Sequence, residues 1–393
     1  MTSAAGRLPG GVAPGAPAPP AYGTGSLADL SGSVLAALDV PGEANVLGLA
    51  ELPRACVLLI DGLGWELLRA NRDVAPYLSA LLPSGRSLTA GFPSTTATSL
   101  TSLGTGRPPG GHGMLGYQIA IPGAGRLLNC LKWDDAVDPY TWQPRSTAFE
   151  RAERAGVATT HVAPRAFRET GLTLAGLRGS GSYPGGNSLG EVAAHTAAAL
   201  AATPRAYVFA YHADLDSTGH RVGCASEAWR LQLGQVDRLV EQIAARLPAD
   251  AALYVTADHG MVDATDRVDV EETPELLDGV ELLGGEPRAR QLYTRAGAAA
   301  DVAAAWRGLL GDRAWILTRE EAIAAGWFGP VADGTDGSGG FDVTARIGDV
   351  LAVPYGPTGF FATRSEPGES RLIGMHGSLE PSDLLVPLLT ARR

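Results

Sequence analysis

The chain has 393 residues, 45% hydrophobic and 19% charged, so it carries enough apolar material for a sizeable core and does not have the composition of a disordered chain. Lys plus Arg number 31 against 42 Asp plus Glu, a formal net charge of -11. That balance argues against a general nucleic-acid binder and against a polybasic membrane anchor, both of which need phosphate neutralisation. It also raises a question of charge: an anionic substrate needs a source of positive potential, and Lys132 is the only lysine.

No apolar stretch is long enough to span a bilayer, and the N-terminus lacks a charged-then-apolar leader pattern, so no membrane association and a cytoplasmic location are expected. Cys56, Cys130 and Cys224 lie far apart and form neither a disulfide framework nor a thiolate metal cluster.

Residues 1–25 are rich in Ala, Gly and Pro and read as a flexible tail, with order beginning near Leu27. Residues 54–60 form a buried strand ending at Asp61 and Gly62, followed by a helix over 64–82. After Pro93, a Thr- and Ser-rich run predicts a helix that starts near Thr96 and stops at the turn of Gly104 and Gly106. A strand is expected over 157–162, a helix over 189–202, and a buried strand over 207–211 with a polar loop after it. Residues 226–247 have the clearest helical periodicity, with Ser226 as N-cap and Pro248 as the stop. A further strand, 253–257, ends at Asp258. Alternating strands and helices predict an α/β protein with a mostly parallel sheet. Segments 118–204 and 285–365 break the rhythm and read as insertions at the edge of that sheet; the second ends in a glycine-rich loop, 333–342.

The informative pattern is where Asp and His fall. Of the seven histidines, His220, His259 and His376 stand beside glycines and aspartates at expected strand ends, and Asp61 closes another. Ligands in open α/β sheets collect beyond the carboxyl ends of the strands. Imidazoles and carboxylates delivered to one edge make a ligand set suited to zinc, with manganese or iron compatible. Each piece alone has a plain structural reading, a turn or a hydrogen-bonded core histidine; their order along the chain gives them weight.

Taken together, the motifs resemble those of the alkaline phosphatase superfamily, most closely its nucleotide pyrophosphatase/phosphodiesterase branch. They appear in family order: Leu-Leu-Ile-Asp-Gly ending at Gly62, Phe-Pro-Ser-Thr-Thr ending at Thr96, Thr105 with Gly106, Pro-Gly-Gly-His-Gly ending at Gly113, Asp216 with Gly219 and His220, Asp258-His259-Gly260, and Gly374-Met375-His376-Gly377. The resemblance implies a three-layer α/β/α fold with inserted cap segments, residues 26–393 forming one catalytic domain. It implies two divalent metal ions, most simply zinc. Asp216, His220 and His376 would hold one; Asp61, Asp258 and His259 the other, with the nucleophile oxygen of Thr96 as an added ligand. Thr96 precedes Thr105 and Gly106 by nine and ten residues, the family's spacing for its nucleophile; Thr95 is the neighbouring candidate. The chemistry implied is phosphodiester or pyrophosphate hydrolysis through a phosphothreonine intermediate, on a small phosphorylated substrate and without nucleic-acid partners.

Two positions depart from relatives. Tyr211 stands where monoesterases of the superfamily place a Glu for a third metal, which favours the two-metal branch. Tyr117 stands where the phosphodiesterases place a phosphate-binding Asn, so its hydroxyl is a candidate donor. Lys132 is a candidate phosphate contact and Trp133 a candidate stacking residue, each with a solvated or packed alternative. His112, His161, His195, His212 and Asp214 read as structural. A phosphomonoesterase or a phosphonoacetate hydrolase-like enzyme would use the same site. A non-catalytic metal-binding descendant is the reading from another class, and no expected ligand is missing to support it.

Overall fold

Residues 54–60 read Arg, Ala, Cys, Val, Leu, Leu, Ile, and every one after Arg54 is buried, as a strand covered on both faces requires. This strand, Arg54–Ile60 (β1), belongs to a six-stranded sheet with Arg86–Thr89 (β2), Ala158–Val162 (β3), Ala206–His212 (β4), Ala251–Thr256 (β5) and Leu385–Arg392 (β6). The spatial order is β2-β6-β5-β1-β4-β3. β1 pairs in parallel with β4 and β5, and β3 pairs in parallel with β4. Only β6 runs against its neighbours β5 and β2. The computed structural model describes residue 15, residues 17–335 and residues 340–393.

Helices cover the sheet on both sides, giving the three-layer arrangement. One group contains Leu189–Ala202, Glu227–Ala244 and Pro76–Leu81; another contains Ala28–Ala37, Thr96–Thr105, Ala148–Arg154 and Gly171–Gly176. Leu189–Ala202 starts in a capping box of Ser188 and Glu191. Glu227–Ala244 starts under Ser226, whose side chain accepts from Trp229 N. Its apolar stripe of Trp229, Leu233, Val236, Val240 and Ile243 is fully buried.

Two local expectations change. The helix expected over 64–82 is divided into Trp65–Ala70 and Pro76–Leu81, because Pro76 has no N–H for the ladder and starts a helix instead of continuing one. The polar loop expected after the 207–211 strand is a helix, Asp214–Val222. Its polar composition hid it, since it buries only Leu215, Thr218 and Gly219.

The segment 118–204 contains β3, the edge strand of the main sheet, as well as a hairpin of Gln118–Ile121 with Arg126–Asn129. Segment 285–365 contributes to a separate antiparallel sheet of Val280–Glu286, Ala289–Thr294, Val350–Pro354 and Ala314–Thr318, in that spatial order. Helix Ala299–Leu310 lies on it, with Val302, Trp306 and Leu310 packed against Leu292, Ile316 and Phe360 in a core of its own. Residues 1–14 and 16 of the expected tail, and 336–339 of the glycine-rich loop, lie outside the described residues. The remaining tail residues are anchored: Tyr22 donates its hydroxyl to Trp327 O at 2.9 Å and accepts from Phe92 N at 3.0 Å.

The small sheet is tied to the C-terminal segment by a buried bidentate pair. Arg288 Nε and Nη2 donate to Asp383 Oδ1 and Oδ2 at 2.7 and 3.0 Å, with both side chains fully buried. Asp383 Oδ1 also accepts from Ser378 N, two residues beyond His376. The three cysteines are free thiols.

Candidate active site

Four segments bring the Asp and His residues to one end of the sheet. Asp61 directly follows β1, and its N–H donates to His212 O, extending the pairing with β4 by one rung. Asp258 and His259 follow β5. Asp216 and His220 lie one helical turn apart on Asp214–Val222, so both face the same way. His376 follows the short strand Gly374–Met375, which pairs antiparallel with Val262–Asp263. Gly62 adopts a positive φ of 73°, and a Cβ there would meet Asp216 Cβ at 3.0 Å, so a glycine permits the two aspartates to approach.

Donor atoms of Asp216, His220 and His376 all lie within 4.8 Å of one another, as do those of Asp61, Asp216 and His259. Asp216 therefore stands between the two groups. His259 Nε2 is 3.4 Å from Asp61 Oδ1 and 3.5 Å from Asp258 Oδ2; His220 Nε2 is 3.4 Å from Asp216 Oδ2. The ring of His376 stacks on that of His259 with centroids 3.5 Å apart.

The imidazoles share one device. His220 Nδ1 lies 2.7 Å from Gly374 O, His259 Nδ1 lies 2.9 Å from Gly260 O, and His376 Nδ1 lies 3.0 Å from Ser94 O. A carbonyl accepts only from a protonated nitrogen, so each Nε2 keeps its lone pair, the tautomer a metal ligand needs.

Three buried carboxylate oxygens in the site, Asp61 Oδ1, Asp216 Oδ1 and Asp258 Oδ2, have no hydrogen-bond partner. Burial, and then the charges of Asp258 and Asp216, push the Asp61 carboxyl well above its ordinary range. Burial also raises Asp216. His376 is held well below its ordinary range by burial and by His259 and His220. Buried carboxylates that resist ionisation, with unpartnered oxygens, beside imidazoles whose Nε2 lone pairs are free make a cation site, and the residues present fit divalent metal ions. This bears on the question posed by the acidic composition: an ion held here would concentrate positive potential at one point without lysines.

Thr96 is the first residue of helix Thr96–Thr105, and its Oγ1 lies 3.2 Å from His259 Nε2. The first N–H groups of that helix point toward the same place, with the favourable end of the helix dipole. Gly106, in the left-handed conformation at φ 69°, closes the helix. Thr95 is its N-cap by backbone conformation and makes no side-chain cap bond.

Two side chains in the site were not foreseen as participants. Tyr211, treated in sequence only as the replacement of a Glu, donates its hydroxyl to Asp61 Oδ2. Glu286, the last residue of Val280–Glu286, is buried with Oε2 3.6 Å from His376 Nδ1 and Oε1 without a partner. Burial pushes its carboxyl up to about 8. The Gly-Gly-Glu-Pro run around it gives no local signal of this. The Asp216/His220 spacing of i and i+4 was a signal for the unforeseen helix.

Two cavities open on Thr96 and Asp216. One, of about 710 Å³, is the more polar of the two and includes Tyr117, Lys132, His220, Glu286 and His376 in its wall. The other, of about 240 Å³, is walled mainly by carbon. Tyr117 uses its hydroxyl on Glu369 Oε1 at 3.0 Å, and Lys132 is exposed. Trp133 lines neither cavity: its indole donates to Val137 O and it packs against Gly171. His112 accepts from Met114 N through Nδ1 and bonds Ser102 Oγ through Nε2, a packed structural histidine.

A mostly parallel sheet that gathers Asp and His beyond its strand ends is a fold shared with solved structures, and with the family match over residues 55–379 it places this chain in the alkaline phosphatase superfamily. Murine ectonucleotide pyrophosphatase/phosphodiesterase 5 superposes with a TM-score of 0.66 at 17% identity, over 86% of this chain and 88% of that one. The human form gives 0.66 at 18%, over 86% and 88%. Phosphonoacetate hydrolase from Sinorhizobium meliloti 1021, solved with phosphonoformate, gives 0.62 at 19%, over 86% and 90%. More narrowly, residues 55–379 match the model of the type I phosphodiesterase / nucleotide pyrophosphatase family, and the chain belongs to that family, whose members are metal-dependent phosphoester hydrolases. No curated protein matches the sequence. Among the described residues no helix is long and apolar enough to cross a membrane.

Proposed function

We propose that the chain is a two-metal phosphodiesterase of the pyrophosphatase type, with Thr96 as nucleophile and a small phosphorylated substrate. The observation that carries this reading is the position of Thr96 Oγ1, 3.2 Å from His259 Nε2 at a helix start, beside carboxylates with unpartnered buried oxygens. Asp216, His220 and His376 would hold one ion, and Asp61, Asp258 and His259 the other, zinc being the ion best matched to such N and O donors. Bound ions would supply Lewis-acid charge and lower the pKa of a hydroxyl held against them.

The chain's own groups do the rest. The helix start at Thr96 orients phosphoryl oxygens toward backbone N–H groups. The Thr96 oxygen forms a new bond to phosphorus as the bond to the leaving oxygen breaks, giving a phosphothreonine. Water then attacks phosphorus, the bond to Thr96 breaks, and the hydroxyl is restored. Two cavities that both reach Thr96 support a diester, which has two arms to place, over a monoester, which has one. The murine relative was solved in an inactive form with AMP, which makes nucleotides natural first probes.

The test is turnover by zinc-loaded protein of bis(4-nitrophenyl) phosphate against 4-nitrophenyl phosphate. The diester is expected to be cleaved faster, with about two ions bound per chain. Thr96→Ala is expected to lower kcat on the order of a thousandfold or more while retaining metal. An active Thr96→Ala protein removes Thr96 from the reaction, and faster monoester cleavage replaces the diesterase reading.

A further inference from the structure

The smaller cavity beside Thr96 differs in chemistry from the larger one. Leu100 lies one turn along the helix from Thr96 and projects on the same face. Leu172 and Leu177 come from helix Gly171–Gly176 and its end, Phe209 from β4, Phe167 from the single 3-10 turn Arg165–Phe167, and Leu131 from a turn. Asp61, Thr96 and Asp216 meet this cavity at its reacting end, and the polar side chains beyond them have local partners. Thr170 Oγ1 donates to Phe167 O, accepts from Thr173 N and bonds Thr173 Oγ1. Tyr211 is committed to Asp61, and Ser217 Oγ accepts from Arg221. His161 is packed among the rings of Phe149, Tyr183 and Phe209, and its Nδ1 is buried without a partner.

We infer that this cavity binds a hydrocarbon arm of the substrate, an alkyl or aryl ester group, with the ester phosphorus at Thr96 and the polar arm in the larger cavity. The inference rests on the phosphodiesterase reading above and names the kind of diester it acts on. A nucleoside brings hydroxyls and ring nitrogens that each need a partner when buried. One imidazole nitrogen cannot serve them. A hydrocarbon arm asks only for removal from water, which this wall supplies.

Straight-chain alkyl phosphates from methyl to octyl, with AMP for comparison, are the probes. Inhibition of bis(4-nitrophenyl) phosphate turnover by the zinc-loaded enzyme should tighten by up to roughly fourfold per methylene until the cavity fills, the fold-change that follows from burying one CH₂. Calorimetry on zinc-loaded Thr96→Ala protein should show the same series without any turnover. Leu172→Asn should weaken octyl phosphate at least about tenfold and methyl phosphate by less than about twofold; Phe167→Asn, at an exposed position that lines the smaller cavity and not the larger, repeats the comparison if Leu172→Asn does not fold. Affinity independent of chain length, or AMP binding more tightly than hexyl phosphate, overturns the inference. Failure to cleave any diester while the chain-length series persists in calorimetry overturns the reaction and leaves the cavity assignment standing.

Discussion

The hydroxyl of Tyr211 donates to Oδ2 of Asp61, across the parallel pair β1 and β4. The register sets Tyr211 beside Leu59, two residues before Asp61, so a long side chain at the end of β4 reaches the carboxylate at the end of β1. Asp61 thus has one oxygen held by a phenol and the other, unpartnered, turned to the His259 side of the site. Tyr211→Phe removes the donor and leaves the shape. Metal affinity or kcat/KM is expected to fall about 10- to 100-fold, as for other groups that orient a ligand. Competition with a chelator and steady-state kinetics read it, and unaltered values for both would refute the role.

Removing metal should abolish binding as well as turnover, because apart from the exposed Lys132 the charges lining the site are carboxylates. Chelated protein is expected to lose affinity for phosphate and to melt at lower temperature, with recovery on adding zinc. Since burial and mutual repulsion raise Asp61 and Asp216 in the metal-free protein, metal uptake should release protons and weaken as pH falls. Titration calorimetry in two buffers of different ionisation enthalpy measures that release; identical heats in both would contradict it.

Acid should destabilise the fold through histidines outside the metal site. Burial holds His161 and His112 down to about 3, from an ordinary value of 6.5. Below 6.5 the unfolded chain takes up these protons and the folded chain does not. Stability is therefore complete above 6.5 and is lost as pH falls from there toward 3, by up to about 1.4 kcal/mol per pH unit for each group. In urea unfolding of chelated protein, His161→Phe should lose less stability than the parent between pH 7 and 5. Equal losses would count against it.

The Arg288–Asp383 pair joins the small sheet to the segment that carries His376. Asp383→Ala leaves a buried guanidinium without its carboxylate, at an expected cost of about 3–5 kcal/mol. A lower urea midpoint, together with weaker metal binding, is the expected result; a midpoint unchanged from the parent would show that the pair is dispensable.

What the sequence determined by itself is the set of local statements. A buried apolar run ending in Asp61 or Asp258 is a strand whose apolar pattern stops where the chain leaves the sheet and carries a polar group to its edge. A 3.6-residue stripe under Ser226 is a helix, and the ordered motifs mark the family. These depend on neighbours in the chain, so they are written in it. Tertiary structure alone decided that Tyr211 serves Asp61, that Glu286 from another sheet lies against His376, and that Tyr117 is bonded to Glu369. It also decided that a carbon-walled cavity opens beside Thr96. Those contacts join residues distant in sequence, through strand register and the docking of one sheet against another. No periodicity or spacing encodes them, because each arises only when separately folded surfaces meet.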